Sequence, residues 1–155
     1  MATVPYPDKL QEIIDLFEAL TEPERREMLI SFAENASLYE PMEGEDFSLE
    51  DVRKDDECTD EVGIYMTVDA DNRASFKVRL GPKVQTLTRA MTSILCRGLE
   101  GLTPEAVREV AQDFVPRIIG AELVRLRSQT VYYVLTRMKG AALVYLRQQP
   151  DSANS

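Results

Sequence analysis

The chain has 155 residues, the size of one domain at roughly 150 residues each, and its 44% hydrophobic and 29% charged residues exclude a disordered or collagen-like chain. Its 27 acidic against 18 basic residues give a formal net charge of -9, which excludes the clustered-cation footprint of a nucleic-acid binder. No apolar run approaches the roughly 18 residues of a membrane span, so a soluble protein is expected.

From Asp8 to Leu20 the apolar residues Leu10, Ile13, Ile14, Phe17 and Leu20 recur at helical spacing, with Gln11, Glu12, Asp15 and Glu18 on the other side. Thr21 followed by Glu22, Pro23 and Glu24 is a helix start, Thr as cap and Pro in the first turn, for a second helix ending near Asn35. Tyr39 to Glu61 carries eleven Asp or Glu residues with no sustained period, so it reads as an acidic connector with at most a short edge strand near Val52. The period then changes to two. Val62, Ile64, Met66 and Val68, and after the polar tract Asp69–Arg73 the residues Ala74, Phe76, Val78 and Leu80, predict a β-hairpin with Ile64, Met66, Phe76 and Val78 facing helices. Gly81-Pro82 ends the second strand, and a helix follows from Val84 to Arg97, closed by Gly98 and Gly101. Thr103-Pro104-Glu105 opens a short helix over Val107 and Val110, and after Pro116 and Gly120 a long helix runs from near Ser128 through Tyr145. The order predicts an α+β fold, a small antiparallel sheet covered on one face by helices.

The missing residue types narrow the chemistry. With no histidine, Ser-His-Asp and Cys-His activation and His-ligated metals are excluded. Cys58 and Cys96, 38 positions apart, are too few for a four-thiolate zinc or iron–sulfur site, and no glycine-rich phosphate loop is present. Thiol chemistry, carboxylate chemistry or no chemistry remains. Asp69-Ala70-Asp71-Asn72 resembles the opening of an EF-hand loop, but Arg73 follows where an oxygen ligand belongs and the twelfth position, Leu80, is no carboxylate; a hairpin turn explains it better. Tyr132, Tyr133 and Tyr145 read as core and rim of the last helix. Cys96, at the edge of an apolar stripe, reads as a half-buried core residue.

Cys58 has two readings, an incidental surface thiol or a reactive group presented next to a strand. Five carboxylates within three residues, Asp55, Asp56, Glu57, Asp60 and Glu61, disfavour its thiolate and raise its pKa. Reaction therefore requires a cation, with Arg53, Lys54, Arg127 or a partner's basic group as candidates. The stretch Met1–Pro7 has neither the basic nor the apolar region of a secretory signal, so a cytoplasmic location is expected.

Cys58 leading into the alternating run from Val62, Gly101-Leu102-Thr103-Pro104-Glu105 at a helix start and Arg127-Ser128-Gln129 at the beginning of the last helix, in this order of elements, resemble the SufE family of cysteine desulfurase sulfur acceptors. The likeness spans residues 8–147, with the polar segment 148–155 as a tail to a single domain over 1–155. The family's cysteine stands in Val-x-Gly-Cys-x-Ser-x-Val; here Glu57 replaces Gly, Asp60 replaces Ser, Gly63 stands where an aromatic is common and Thr130 where Gly follows the arginine. The resemblance implies a SufE/IscU-like fold and a sulfur relay. Cys58 would take persulfide sulfur from a pyridoxal-phosphate cysteine desulfurase and pass it to an iron–sulfur scaffold, as a carrier and desulfurase activator rather than a stand-alone enzyme. Arg127 would support the thiolate, and Asp55, Asp56, Glu57 and Asp60 would meet the partner. No bound cofactor or metal is required, and neither nucleic acid nor membrane is a partner. An iron–sulfur scaffold of the same architecture needs three cysteine ligands and fails on count. The alternative is an acidic, non-catalytic adaptor or regulator on the same fold, with Cys58 incidental.

Overall fold

A computed structural model describes residues 6–55 and 60–149. Helix α1 (Asp8–Glu18) buries Leu10, Ile13, Ile14 and Phe17, the predicted stripe. Thr21 caps α2 (Glu22–Glu34) through a reciprocal box: Thr21 Oγ1 accepts from the Glu24 amide at 3.4 Å, and Glu24 Oε1 accepts from the Thr21 amide at 2.9 Å. A 3₁₀ turn (Asn35–Tyr39) follows and leads into the sheet.

The sheet has three antiparallel strands in the order β1 (Leu49–Asp55), β2 (Asp60–Val68), β3 (Ala74–Leu80). The β2–β3 hairpin matches the period-two pattern, with Ile64 opposite Val78, Met66 opposite Phe76, and all four buried. In its turn Asn72 takes φ 60°, and Asp69 Oδ1 accepts from the amides of Asp71 and Arg73 at 2.9 and 3.0 Å, so the run resembling a calcium loop is a side-chain-stapled turn. β1 departs from the sequence expectation. In place of a connector with a short strand, seven residues pair along their whole length, from Leu49 opposite Met66 to Asp55 opposite Asp60. Glu50, Asp51, Arg53, Lys54 and Asp55 hide the strand period in the sequence, and charge of this kind on an edge strand keeps it from pairing with other chains.

Helix α3 (Thr86–Gly98) begins two residues later than its apolar pattern suggests, Val84 being buried in the turn before it. Thr103 caps the short α4 (Pro104–Glu109), its Oγ1 accepting from the Ala106 amide at 3.1 Å. Two further helices, α5 (Val115–Ile119) and α6 (Ala121–Leu126), were not legible in the sequence: Pro116 and Gly120 look like breakers, yet Pro116 sits in the first turn of α5 and Gly120, at φ 92°, joins the two. They are too short to show a period, and burial of Phe114, Val115, Ile118 and Ile119 holds the chain there. The last helix, α7 (Ser128–Gln148), starts where predicted. Helices α3 and α7 pack on the inner face of the sheet in one contiguous apolar core, giving the expected α+β arrangement.

One polar group lies inside that packing. Arg137 of α7 is only 4% exposed, and its guanidinium donates to Asp51 Oδ2 at 3.2 Å, the Asp51 carbonyl at 2.6 Å, the Val62 carbonyl at 3.0 Å and Tyr133 Oη at 2.6 Å. Burial pushes the Asp51 carboxyl up, but Arg53 and Arg137 outweigh it and hold the group below its ordinary value. Arg137→Met is expected to cost about 3 kcal/mol in urea unfolding, because it strands two strand carbonyls and leaves the Asp51 carboxylate to Arg53 alone. The stabilising contribution of Asp51 is complete above its unfolded pKa of about 3.9 and vanishes as pH falls through the lower folded value. Unfolding midpoints measured across that acid window should therefore fall more steeply in the wild type than in Asp51→Asn.

Candidate functional site

Cys58, Asp56 and Glu57 lie outside the described residues, between Asp55, the last residue of β1, and Asp60, the first of β2. Those two flanking residues pair with each other, so the stretch 56–59 begins and ends at adjacent strand termini. The site is thus approached through its neighbours.

Asp60 does not project as a free surface charge. Its Oδ1 accepts from the Glu61 amide at 2.7 Å and its Oδ2 from the Lys83 amide at 2.8 Å, tying the start of β2 to the turn between β3 and α3. That turn is also paired to β2, the Gly81 amide donating to the Glu61 carbonyl at 2.9 Å. Arg89 of α3 grips it from below, donating to the Gly81 carbonyl at 2.8 Å and the Val84 carbonyl at 3.2 Å.

Two of the candidate cations, Arg53 and Arg127, have described side chains. Arg53 makes a paired contact with Asp51, Nε to Oδ1 at 3.2 Å and Nη2 to Oδ2 at 3.0 Å, so part of its charge is already answered. Arg127 is exposed at the junction of α6 and α7 and lines an open groove with Arg26, Leu29, Gln85, Thr86 and Leu87. It therefore faces the far end of the same β3–α3 segment whose Lys83 amide holds Asp60. Among the described residues no cluster of three or more His, Cys, Asp or Glu could hold a metal ion, and no helix is long and apolar enough to cross a membrane.

Cys96 is buried more deeply than its place on the apolar stripe suggests, at 2% exposure in α3. Burial, reinforced by Glu100, pushes its thiol pKa up, and a thiol held in that state is no nucleophile. Tyr133 is buried against Arg137 and Tyr132 and Tyr145 pack at the margin, the core-and-rim role expected of them. On the outer sheet face the ring of Tyr65 lies over Gly63, where a Cβ would come within 2.9 Å of it, and Phe47 and Arg79 flank that ring at 5.0 and 5.5 Å. An aromatic therefore covers the position of Gly63 from two residues further along the same face.

Residues 11–142 match the SufE family, described as an Fe-S metabolism associated domain. The chain belongs to the SufE family. An uncharacterized SufE-like protein of Synechocystis sp. is 26% identical over 148 residues, spanning 94% of this chain and 87% of that one. In fold, a solution structure of a hypothetical protein from Thermus thermophilus superposes with a TM-score of 0.72 at 23% identity, covering 93% of this chain and all of that one. The N-terminal part of a nitrogen-fixing NifU-like protein from Brucella abortus reaches a TM-score of 0.56 at 13% identity, over 78% of this chain and 93% of that one. Membership associates the chain with iron–sulfur metabolism and agrees with the α+β architecture built above.

Sequence reasoning missed Arg137 and the seat of Asp60. The first left a signal: Tyr133, Arg137 and Ala141 are four residues apart on the buried side of α7, so an arginine stands on an apolar stripe. The second left none, because Gly81 reads only as a strand stop. The two thiols should differ sharply. Cys58 is expected to alkylate in the native protein at least about a hundredfold faster than Cys96, which reacts once its roughly 3 kcal/mol or larger opening cost is met, as peptide mapping after iodoacetamide would show; equal rates would refute the contrast.

Proposed function

We propose that this SufE-family chain is a sulfur acceptor: Cys58 takes persulfide sulfur from a pyridoxal-phosphate cysteine desulfurase and hands it on for iron–sulfur cluster assembly. The carrying observation is the burial of Cys96, which leaves Cys58, between the paired ends of β1 and β2 in the sequence, as the remaining thiol of a chain with two cysteines. Family membership supplies the link to iron–sulfur metabolism.

The chemistry is exchange at sulfur. The Cys58 thiolate attacks the outer sulfur of the donor persulfide; a bond forms between the two sulfurs as the donor's own sulfur–sulfur bond breaks, and the donor cysteine leaves as thiolate. The proton on the transferred sulfur stays with it, so the product is Cys58-S-SH and no oxidant, metal or bound cofactor is consumed. The chain acts as carrier and desulfurase activator, a single SufE-like domain over residues 1–155 working in the cytoplasm.

Charge sets the encounter. Asp55, Asp56 and Glu57 precede Cys58 as an acidic run in the sequence that suits a basic patch on the donor, and the same patch would favour the thiolate, so that docking and activation coincide. Arg127 lines a groove at the far end of the β3–α3 segment, so support of the thiolate by Arg127 rests on the family resemblance alone.

Incubation with a cysteine desulfurase and cysteine should add the mass of one sulfur to the Cys58 peptide, and Cys58→Ser should abolish that gain while binding survives. Sulfur uptake undiminished in Cys58→Ser would instead favour the acidic adaptor. Asp56→Asn combined with Glu57→Gln should slow transfer at low salt and lose that difference when exposed charges are screened over about 8 Å at physiological ionic strength. A rate unchanged by the double substitution would remove the acidic segment from the encounter.

A further inference from the structure

We infer that Asp60 is a positioning residue for the Cys58 reaction, its carboxylate locking the first residue of β2 into a seat on the β3–α3 turn that only a glycine at position 81 leaves open. The functional meaning of this inference rests on the sulfur-acceptor reading; the seat itself does not.

The terminal pair of a hairpin is where strands fray, and Asp55 opposite Asp60 is the terminal pair of β1 and β2. Here the end is held by charge-assisted bonds from the Glu61 and Lys83 amides, the second reaching across 23 positions of chain. The carboxylate lies directly against Gly81: a Cβ built there would stand 2.2 Å from Asp60 Cγ and 2.3 and 2.4 Å from its two oxygens. Gly81 is not among the residues with positive φ, so any side chain could adopt its backbone; the demand for glycine is the space taken by Asp60. The turn, in turn, is fastened by Arg89 through the Gly81 and Val84 carbonyls. A continuous path of hydrogen bonds thus runs from α3 through the turn to the residue two positions beyond Cys58.

This assigns Asp60 a task different from that of its acidic neighbours. Two main-chain amides fix the direction of its carboxylate, so it contributes orientation, and a nucleophile displaced by about 1 Å can lose on the order of a hundredfold in rate.

A double-mutant cycle of Asp60→Ala and Gly81→Ala tests the seat. Two quantities are read: the amide exchange of Lys83, and persulfide transfer from a cysteine desulfurase at saturating and half-saturating donor. Gly81→Ala retains every charge but evicts the carboxylate, so it should speed Lys83 exchange and lower the saturated transfer rate by about tenfold, leaving half-saturation unchanged. Asp60→Ala should do the same, and the double variant should be no worse than either alone. If Gly81→Ala does not fold, Asp60→Ala should rescue it, since the clash is with that carboxylate. Equal additional cost of Gly81→Ala in both backgrounds overturns the inference, as does a change in half-saturation with the saturated rate intact. Sulfur uptake undiminished in Cys58→Ser would defeat the acceptor reading alone, while Lys83 exchange would still decide whether the seat exists.

Discussion

The sheet and the helical layer meet at the buried guanidinium of Arg137. A cation in an apolar interior is tolerated only when its charge and its N–H groups are answered, and the answers come from Asp51, from one main-chain carbonyl on each of β1 and β2, and from Tyr133 one turn earlier on α7. That demand has a structural consequence. β1 is an edge strand dense in charge, with little apolar surface to hold it in place, and Asp51 is drawn under the sheet because Arg137 requires a carboxylate there. With Asp51 held, the register from Leu49 to Asp55 against β2 follows, and so do the positions at which the two strands end.

Those ends matter to the proposed sulfur transfer because Cys58 lies between them in the sequence. The hairpin that carries it is secured at two levels: by Arg137 at Asp51 and Val62, and by Asp60 on the β3–α3 turn. Both fastenings trace back to helices, α7 for the first and α3, through Arg89, for the second. Thiol exchange asks little of a protein beyond a reachable thiolate and a fixed direction of approach. A small sheet stiffened from one side by two helices would supply that direction in the proposed transfer.

The two cysteines illustrate how the same side chain is given opposite fates. In α3, buried and close enough to Glu100 to feel its charge, the Cys96 thiol is held protonated by its surroundings. Cys58 stands among carboxylates in sequence, where the free protein disfavours the anion and a docking cation reverses the balance. In the proposed transfer, reactivity is thereby tied to the presence of the partner.

What the sequence determined by itself is whatever local periodicity and local chemistry encode: the stripes of α1 and α7, the capping box at Thr21 and the cap at Thr103, the period-two runs of β2 and β3 with their stapled turn, and the acidic setting of Cys58. Each depends on neighbours within a few positions, so composition and spacing suffice. Tertiary structure decided β1, the helices α5 and α6, the burial of Arg137 and the seat of Asp60. In those places the stabilising partner is remote: β1 answers to a guanidinium 86 positions away, and Asp60 to an amide 23 positions away. A charged edge strand shows no apolar alternation and a five-residue helix shows no full period, so neither can be recognised until the core that holds it has formed.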